Sequence, residues 1–203
     1  MRTIGTVVRG VRAPIIKAGD DLANIVVESL MEAQKEEGFK FRDKDIVAVT
    51  EAVVGKAEGN FVTVDDIAND IRNKYPSGEV GLVFPILSRN RFSICLKGIA
   101  RGVKKIYIQL SFPSDEVGNG ILDEDKFEES KYNLSSVISE DEYTKNFGDF
   151  LHPFTGINMV DFYRELVKDE NCDVEFVFSN DPKTILDYTK DILVCDIHTR
   201  DKT

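Results

Sequence analysis

The chain is poor in the residues that build zinc sites and disulfide scaffolds. Its 203 residues include no tryptophan, two histidines and three cysteines. Cys95, Cys172 and Cys195 are odd in number and lack paired spacing, which argues against both kinds of site. Each cysteine lies in an apolar stretch, so we predict three buried free thiols. A nucleophilic triad and the glycine fingerprint of dinucleotide-binding folds are also missing from the sequence.

Long apolar runs and an excess of positive charge are missing as well. No run approaches the roughly 18 residues of a membrane span, and the N-terminus lacks the apolar core of a signal peptide. We therefore expect a cytoplasmic protein with no membrane partner. The formal net charge of −10 argues against nucleic acid as a partner, because phosphate backbones require a basic face. A bound nucleotide would need local cations or a metal to offset this charge.

The order of the elements predicts an α/β fold with a mixed sheet and flanking helices, and an α+β arrangement is the alternative. Strands alternate with helices in the C-terminal half, as they do in partly parallel sheets. The predicted strands are 3–8, 45–50, 105–110, 174–178 and 192–195. Helices are predicted after Asp20 or Asp21, after Thr63, and over 92–103, 159–166 and 185–188. We expect one domain, 1–203, in which the acidic stretch 123–149 is a surface excursion with one short helix near 141–147.

Polar side chains cluster where three predicted strands end. In open α/β sheets ligands bind outside the carboxyl ends of the strands, so these side chains are expected to converge. Their oxygens are the ligands that magnesium and manganese prefer. The residues are Ser114, Asp115, Glu116 and Asn119, then Ser179, Asn180 and Asp181, then Asp196, His198, Thr199 and Arg200.

Each candidate also has a purely structural interpretation. Asp115 and Glu116 fit the start of a turn, and Asp181 fits a helix N-cap. Arg200 fits a surface ion pair. His152 opens a His-Pro-Phe-Thr-Gly loop that either packs on its neighbours or binds an anion at a helix N-terminus.

A lysine between two glycines follows the predicted strand 45–50. The segment Gly55–Gly59 reads Gly-Lys-Ala-Glu-Gly, and such a segment brings one charge and bare backbone N–H groups against a phosphate. It is not the common phosphate loop, which needs a serine or threonine directly after the lysine. An ordinary turn is the alternative.

Three N-terminal segments, 16–23, 43–50 and 54–59, together resemble the coenzyme F420-0:L-glutamate ligase (gamma-glutamyl ligase) family. The resemblance implies the fold of that family and an enzyme that forms an amide bond between L-glutamate and a deazaflavin precursor, F420-0, or a related acyl acceptor. It implies GTP as co-substrate, Mg²⁺ or Mn²⁺ as metal, small-molecule substrates as partners, and a homodimer. Members of the family continue well beyond the point that matches Thr203, so we expect an N-terminal fragment of a longer chain.

The resemblance also implies roles for individual residues. Lys56 would contact phosphate and take part in catalysis. The first metal aspartate has two placements: on 98–100, where the carboxylate is lost, or on Asp115 or Glu116 with Asn119 beside the nucleotide; we prefer the second. The second metal aspartate matches Asp196, with His198 and Arg200 close behind. The other implied nucleotide contacts are Arg12, Ala13, Pro14, Ile15, Glu51 and Ala52.

One departure from the family keeps a second function open. Glu51 and Ala52 stand where the family has a pair of hydroxyl side chains. The change removes two hydrogen-bond donors and adds negative charge near a nucleotide. It favours the alternative of a non-catalytic domain that binds a nucleotide or metabolite and retains the ligase scaffold.

Overall fold

The structure is a computed structural model that describes residues 5–199, 201 and 203. The chain divides into two compact units, residues 1–62 and residues 63–203. Across the described residues, no helix is both long enough and apolar enough to cross a membrane.

Within residues 5–62 the first unit contains two helices, α1 (Leu22–Glu37) and α2 (Glu51–Ala57). The carboxylate of Asp21 caps α1 by accepting the N–H of Asn24 at 3.1 Å. Gly38 ends α1 with a left-handed φ of 67°, which glycine adopts without strain. The helix predicted after Asp21 is therefore confirmed.

The two strands predicted in this unit are not formed. Within the described part of residues 1–62, the segments 5–8 and 45–50 pair with no strand; residues 3 and 4 lie outside the described part. Val8 and Ile46 are 88% and 90% exposed. A strand is stable only when a neighbour accepts its backbone hydrogen bonds and covers its apolar face, so the local pattern alone was insufficient.

The second unit is an α/β fold with a five-stranded mixed sheet, as the sequence predicts. The sheet order is β3-β4-β2-β1-β5, in which β3 runs antiparallel to β4 and the other neighbours are parallel. β1 lies in a stretch to which the sequence pattern assigned no element. The strands are β1 (Glu79–Val83), β2 (Lys105–Leu110), β3 (Ile138–Ser139), β4 (Asp173–Phe178) and β5 (Ile192–Val194).

Helices cover one face of this sheet, and a single 3₁₀ helix, Pro182–Asp187, packs on the other. Leu82, Ile106 and Ile108 on the helix side are completely buried. On the opposite face Gly81 permits close packing, because a Cβ there would lie 2.6 Å from Cγ1 of Ile185. The helices of this unit are α3 (Val64–Lys74), α4 (Phe92–Gly102), α5 (Glu124–Glu128), α6 (Glu140–Phe147) and α7 (Met159–Lys168).

Two expectations about burial change. Cys95 is exposed, whereas Cys172 is buried and Cys195 is half-buried; apolar neighbours in sequence do not fix the face of α4 on which a residue lies. The acidic stretch 123–149 lies only partly on the surface. Tyr143 and Phe147, both at most 2% exposed, belong to the main core.

Arg101 joins three helical elements through ion pairs. Its guanidinium donates to Glu170, just beyond α7, from Nε (2.8 Å) and Nη2 (3.0 Å), and to Asp65 of α3 from Nη1 (2.6 Å). The Glu170 side chain is only 11% exposed. The hydrogen bonds from Arg101 outweigh the effect of burial and lower the pKa of Glu170.

We expect Arg101→Ala to lower the urea midpoint several-fold more than Lys74→Ala, because Glu170 would lose its bidentate partner while the Lys74–Asp70 pair is exposed. Since the pKa of Glu170 is lowered in the folded protein, this stabilisation is present at neutral pH and is lost as the pH falls through that pKa. Urea unfolding of both variants at neutral and acidic pH measures the effect. Equal losses in the two variants at neutral pH would contradict it.

Candidate functional site

The loops that follow the parallel strands emerge at one edge of the sheet. β1, β2, β4 and β5 run in the same direction, so their carboxyl ends share this edge. As predicted, the loop after β2 contacts the loop after β5: Glu116 accepts hydrogen bonds from the backbone of Ile197 and His198. The candidate site is built on these two loops.

Glu116 holds the loop that carries Asp196. Its Oε1 accepts the N–H of Ile197 at 2.8 Å, and its Oε2 accepts the N–H of His198 at 2.9 Å. The Glu116 side chain is only 7% exposed, and Nδ1 of His198 lies 3.4 Å from its Oε1. Burial raises the pKa of Glu116, but the two backbone N–H bonds and His198 outweigh burial and hold that pKa below its usual value. Glu116 is therefore a carboxylate at neutral pH.

Asp196 meets Glu116 at a shared hydroxyl group. The hydroxyl of Thr199 donates to Oδ2 of Asp196 at 2.6 Å and lies 3.5 Å from Oε2 of Glu116. Thr203 donates a second hydroxyl to the same oxygen of Asp196 at 2.9 Å. Asp196 is completely buried. The fold thus brings two carboxylates and a hydroxyl together although Glu116 and Asp196 are 80 positions apart in the sequence.

Asp115 performs a different task within the same loop. Its Oδ1 accepts the N–H groups of Val117 (3.0 Å) and Asn119 (2.8 Å). Its Oδ2 accepts the side-chain amide of Asn119 (2.7 Å) and the N–H of Leu87 (2.9 Å). A carboxylate has about four lone-pair positions. A metal bound by Asp115 would therefore replace at least one of these hydrogen bonds.

The loop after β1, residues 84–91, is a part of this edge that sequence reasoning missed. The Tyr163 hydroxyl accepts the N–H of Ser88 at 2.7 Å and lies 3.1 Å from the carbonyl oxygen of Ile86. Asn119 donates to the carbonyl of Leu87 at 3.3 Å. In the sequence Tyr163 lies simply within the predicted helix 159–166, and a spacing pattern gives no signal for a buried hydroxyl that holds a distant loop.

The third polar cluster is structural. The carboxylate of Asp181 caps the 3₁₀ helix by accepting the N–H of Lys183 at 3.0 Å, as the N-cap interpretation predicts. The Asn180 side chain accepts the N–H of Phe112 (3.0 Å) and donates to its carbonyl (2.8 Å). The Asn180 side chain thus bonds to the backbone of Phe112 as a neighbouring strand would, beyond the ends of β2 and β4.

The donors suit a hard divalent cation, although they do not form a complete set of ligands. Among the described residues, no group of three or more His, Cys, Asp or Glu side chains is arranged to hold a metal. Magnesium is usually bound by one or two carboxylates together with waters and substrate phosphates. The carboxylates of Glu116 and Asp196, with the Thr199 hydroxyl between them, fit that chemistry.

Lys56 lies in the first unit, and its local structure differs from the predicted loop. Gly55 and Lys56 belong to the last turn of α2, and the N–H groups of Gly59 and Asn60 already bond to the carbonyls of Lys56 and Gly55. This end of a helix presents carbonyl groups and negative partial charge. The backbone therefore cannot cradle a phosphate here, and only the exposed ammonium of Lys56 is available.

The predicted nucleotide contacts of the first unit lie at two places. Glu51 and Ala52 begin α2 and are exposed. Arg12, Ala13 and Pro14 line a cavity of about 360 Å³ against α1. Ile15, the next residue, is 79% exposed.

The remaining candidates are His152 and Arg200. His152 lines a separate cavity of about 390 Å³ in the second unit, and its ring lies 6.0 Å from that of Phe154. Its Nδ1 is buried without a hydrogen-bond partner among the described residues. Arg200 lies outside the described residues.

Comparison with known proteins identifies the family of the chain. A family model described as F420-0:Gamma-glutamyl ligase matches residues 10–180, which are most of the chain. The chain belongs to this family. The coenzyme F420:L-glutamate ligase of Methanothermobacter thermautotrophicus is 37% identical over 54 residues, which are 27% of this chain and 20% of that protein. The chain thus matches about a fifth of the length of this relative. No solved structure shows a significant match to this chain.

The structure describes both positions at which the family resemblance could place a first metal aspartate. One placement falls inside α4, where Ala100 is completely buried and a Cβ on Gly98 would lie 2.6 Å from Ile67. A position packed between helices offers no room for a metal and its waters. The other placement, on Asp115 or Glu116, lies on a loop at the carboxyl edge of the sheet.

We expect Glu116→Gln to lower the free energy of unfolding by about 1–2 kcal/mol, because a side-chain amide donor would face a backbone N–H donor. Glu128→Gln, an exposed position on α5, is the matched control and should change stability little. Urea unfolding measures the loss, and hydrogen exchange at the amides of Ile197 and His198 localises it. Unchanged exchange at these two amides would show that Glu116 does not hold the loop.

Proposed function

We propose that this protein is a nucleotide- and metal-dependent ligase that forms an amide bond between L-glutamate and F420-0 or a related acyl acceptor. Family membership over residues 10–180 supports an amide-forming ligase. The observation that carries the proposal is the meeting of Glu116, Asp196 and Thr199 at the carboxyl ends of the parallel strands. That edge is where α/β proteins bind ligands.

The proposed reaction has two steps. The carboxylate of the acceptor attacks the γ-phosphorus of GTP, so that GDP leaves and an acyl phosphate forms. The amine of glutamate then attacks the acyl carbon, loses a proton and displaces inorganic phosphate. Magnesium or manganese, when bound, would neutralise charge on the phosphates.

The proposed roles of the residues follow from their charge and position. Glu116 and Asp196 would hold the metal, with Asp115 as a further carboxylate once it releases a hydrogen bond. Lys56 would stabilise charge on the transferred phosphoryl group. A homodimer remains a proposal that rests on the family resemblance.

A non-catalytic nucleotide- or metabolite-binding domain is the second candidate. Two observations favour it. Glu51 and Ala52 stand where the family resemblance implies a hydroxyl pair, and all four lone-pair positions of Asp115 are used within the protein. Such a domain would bind nucleotide without turnover.

Thermal unfolding with millimolar GTP and Mn²⁺, combined with a glutamate- and F420-0-dependent assay of GDP release, separates these functions. A ligase should be stabilised by GTP with Mn²⁺ and should release GDP, and Asp196→Asn should reduce turnover at least about 100-fold because a buried metal carboxylate is neutralised. Glu128→Gln should leave both readouts unchanged. Stabilisation without GDP release would support the binding domain. No stabilisation by GTP with Mn²⁺ would contradict the ligase and would leave a metabolite as the ligand of the second candidate.

A further inference from the structure

The loop 84–91, between β1 and α4, connects a buried tyrosine to a candidate metal ligand. On one side the loop is hydrogen-bonded to Tyr163 of α7. On the other side it is hydrogen-bonded to Asp115 and Asn119 in the loop after β2. All of these residues belong to the second unit. A change at Tyr163 can therefore reach Asp115 through a single loop.

Tyr163 holds the middle of this loop. It is completely buried, and its ring packs against that of Phe92 with the ring centroids 5.8 Å apart. Its hydroxyl accepts the N–H of Ser88 at 2.7 Å and donates to the carbonyl of Ile86 at 3.1 Å. Burial raises the pKa of Tyr163, so the hydroxyl keeps the proton that it donates. One hydroxyl thus fixes the backbone on both sides of Leu87.

The start of the loop shows that its conformation is imposed by its contacts. Phe84 has a φ of 52°, in the left-handed region that bulky side chains rarely adopt. Such a conformation persists only where the surrounding structure holds it. The N–H of Phe84 donates to the carbonyl of Gln109 at 3.0 Å, and Tyr163 holds the loop further along. The position of the loop therefore depends on these anchors.

Leu87 reaches Asp115 from outside its own turn. Three of the four hydrogen bonds to the Asp115 carboxylate come from Val117 and Asn119, within residues 115–119. The fourth comes from the N–H of Leu87, which donates to Oδ2 at 2.9 Å. A cation that displaced one of the first three bonds would disrupt the turn itself. The N–H of Leu87 is the one that can leave while the turn stays intact.

We propose that Tyr163 is a positioning residue of the candidate site: it holds loop 84–91 so that the N–H of Leu87 occupies Asp115, and a divalent cation binds Asp115 by displacing that N–H. The inference rests on the proposed metal-dependent function and adds to it a residue that sets metal affinity without being a ligand. The loop competes with the metal for one oxygen of Asp115. A looser loop therefore gives tighter metal binding.

Amide hydrogen exchange of the full chain with GTP, in the presence and absence of Mg²⁺, tests the displacement. We expect Mg²⁺ to speed exchange at Leu87 at least about fivefold, because this N–H loses its acceptor. The amides of Val117 and Asn119 should keep their protection and serve as internal references. Unchanged exchange at Leu87 with Mg²⁺ bound, or faster exchange at Val117 and Asn119 instead, would overturn the inference.

Tyr163→Phe, which removes only the hydroxyl, should bind Mn²⁺ about five- to tenfold more tightly than wild-type protein in the presence of GTP. Isothermal titration calorimetry, corrected for Mn²⁺ binding to free GTP, measures the affinity. Tyr75→Phe is the matched control, because the Tyr75 hydroxyl donates to the carbonyl of Ile192 (3.1 Å) at the amino end of β5. This variant should keep the wild-type affinity, and circular dichroism would show that both variants are folded.

The outcomes separate this inference from the proposed function. A purely structural role of Tyr163 would leave metal binding unchanged or weaken it. Either result in folded Tyr163→Phe, with metal bound by wild-type protein, would overturn the inference alone. Failure of wild-type protein to bind Mn²⁺ with GTP would contradict the proposed metal-dependent function, and the inference with it.

Discussion

Parallel pairing of β2 with β1 and β4 is the constraint on which the second unit depends. β2 lies in the middle of the sheet and is hydrogen-bonded on both sides. Its register with β1 and β4 therefore fixes where these strands end along the strand direction. The loops after these strands must then leave the sheet at one edge. The polar residues that follow β2 and β5 meet there for this reason, and no local sequence signal is needed to bring them together.

Two kinds of carboxylate lie at this edge of the sheet, and they differ in their hydrogen-bond partners. Asp115 accepts four N–H groups and shapes its own loop, whereas Glu116 and Asp196 lie on different loops and share one hydroxyl. Glu116 keeps its charge although it is nearly buried, because backbone N–H groups compensate for lost solvent. Both carboxylates accept hydrogen bonds within the protein: Glu116 from backbone N–H groups, and Asp196 from the hydroxyls of Thr199 and Thr203.

Much of the fold was predictable from the sequence, because its signals are local. The capping box of Thr63 and Asp66, the αL glycine at Gly38 and the N-cap of Asp181 all appear as their residue types predict. Segments whose structure depends on a partner were not predictable: the apolar run within 45–50 is typical of a strand, yet it pairs with no strand. The apolar residues of the acidic stretch are buried by α6, which only the tertiary fold decides.

The candidate site was predictable at the level of loops and not at the level of contacts. Strand-end position identified Asp115, Glu116 and Asp196 as neighbours. The difference between Asp115, which is occupied by N–H donors, and Glu116, which braces the opposite loop, depends on side-chain direction across distant segments. The glycine-rich segment around Lys56 shows the reverse case, because its composition suggested a phosphate loop and its hydrogen bonds show the end of a helix.

The central proposal is that this protein activates an acyl group by phosphoryl transfer before an amine attacks it. The most direct test supplies F420-0 with heavy oxygen in its carboxylate, together with GTP, glutamate and Mn²⁺, and examines the released phosphate by phosphorus NMR. Passage through an acyl phosphate transfers one labelled oxygen to inorganic phosphate, and the account predicts this label in step with amide formation. Amide product accompanied by unlabelled phosphate, or GTP turnover without amide product, would contradict it.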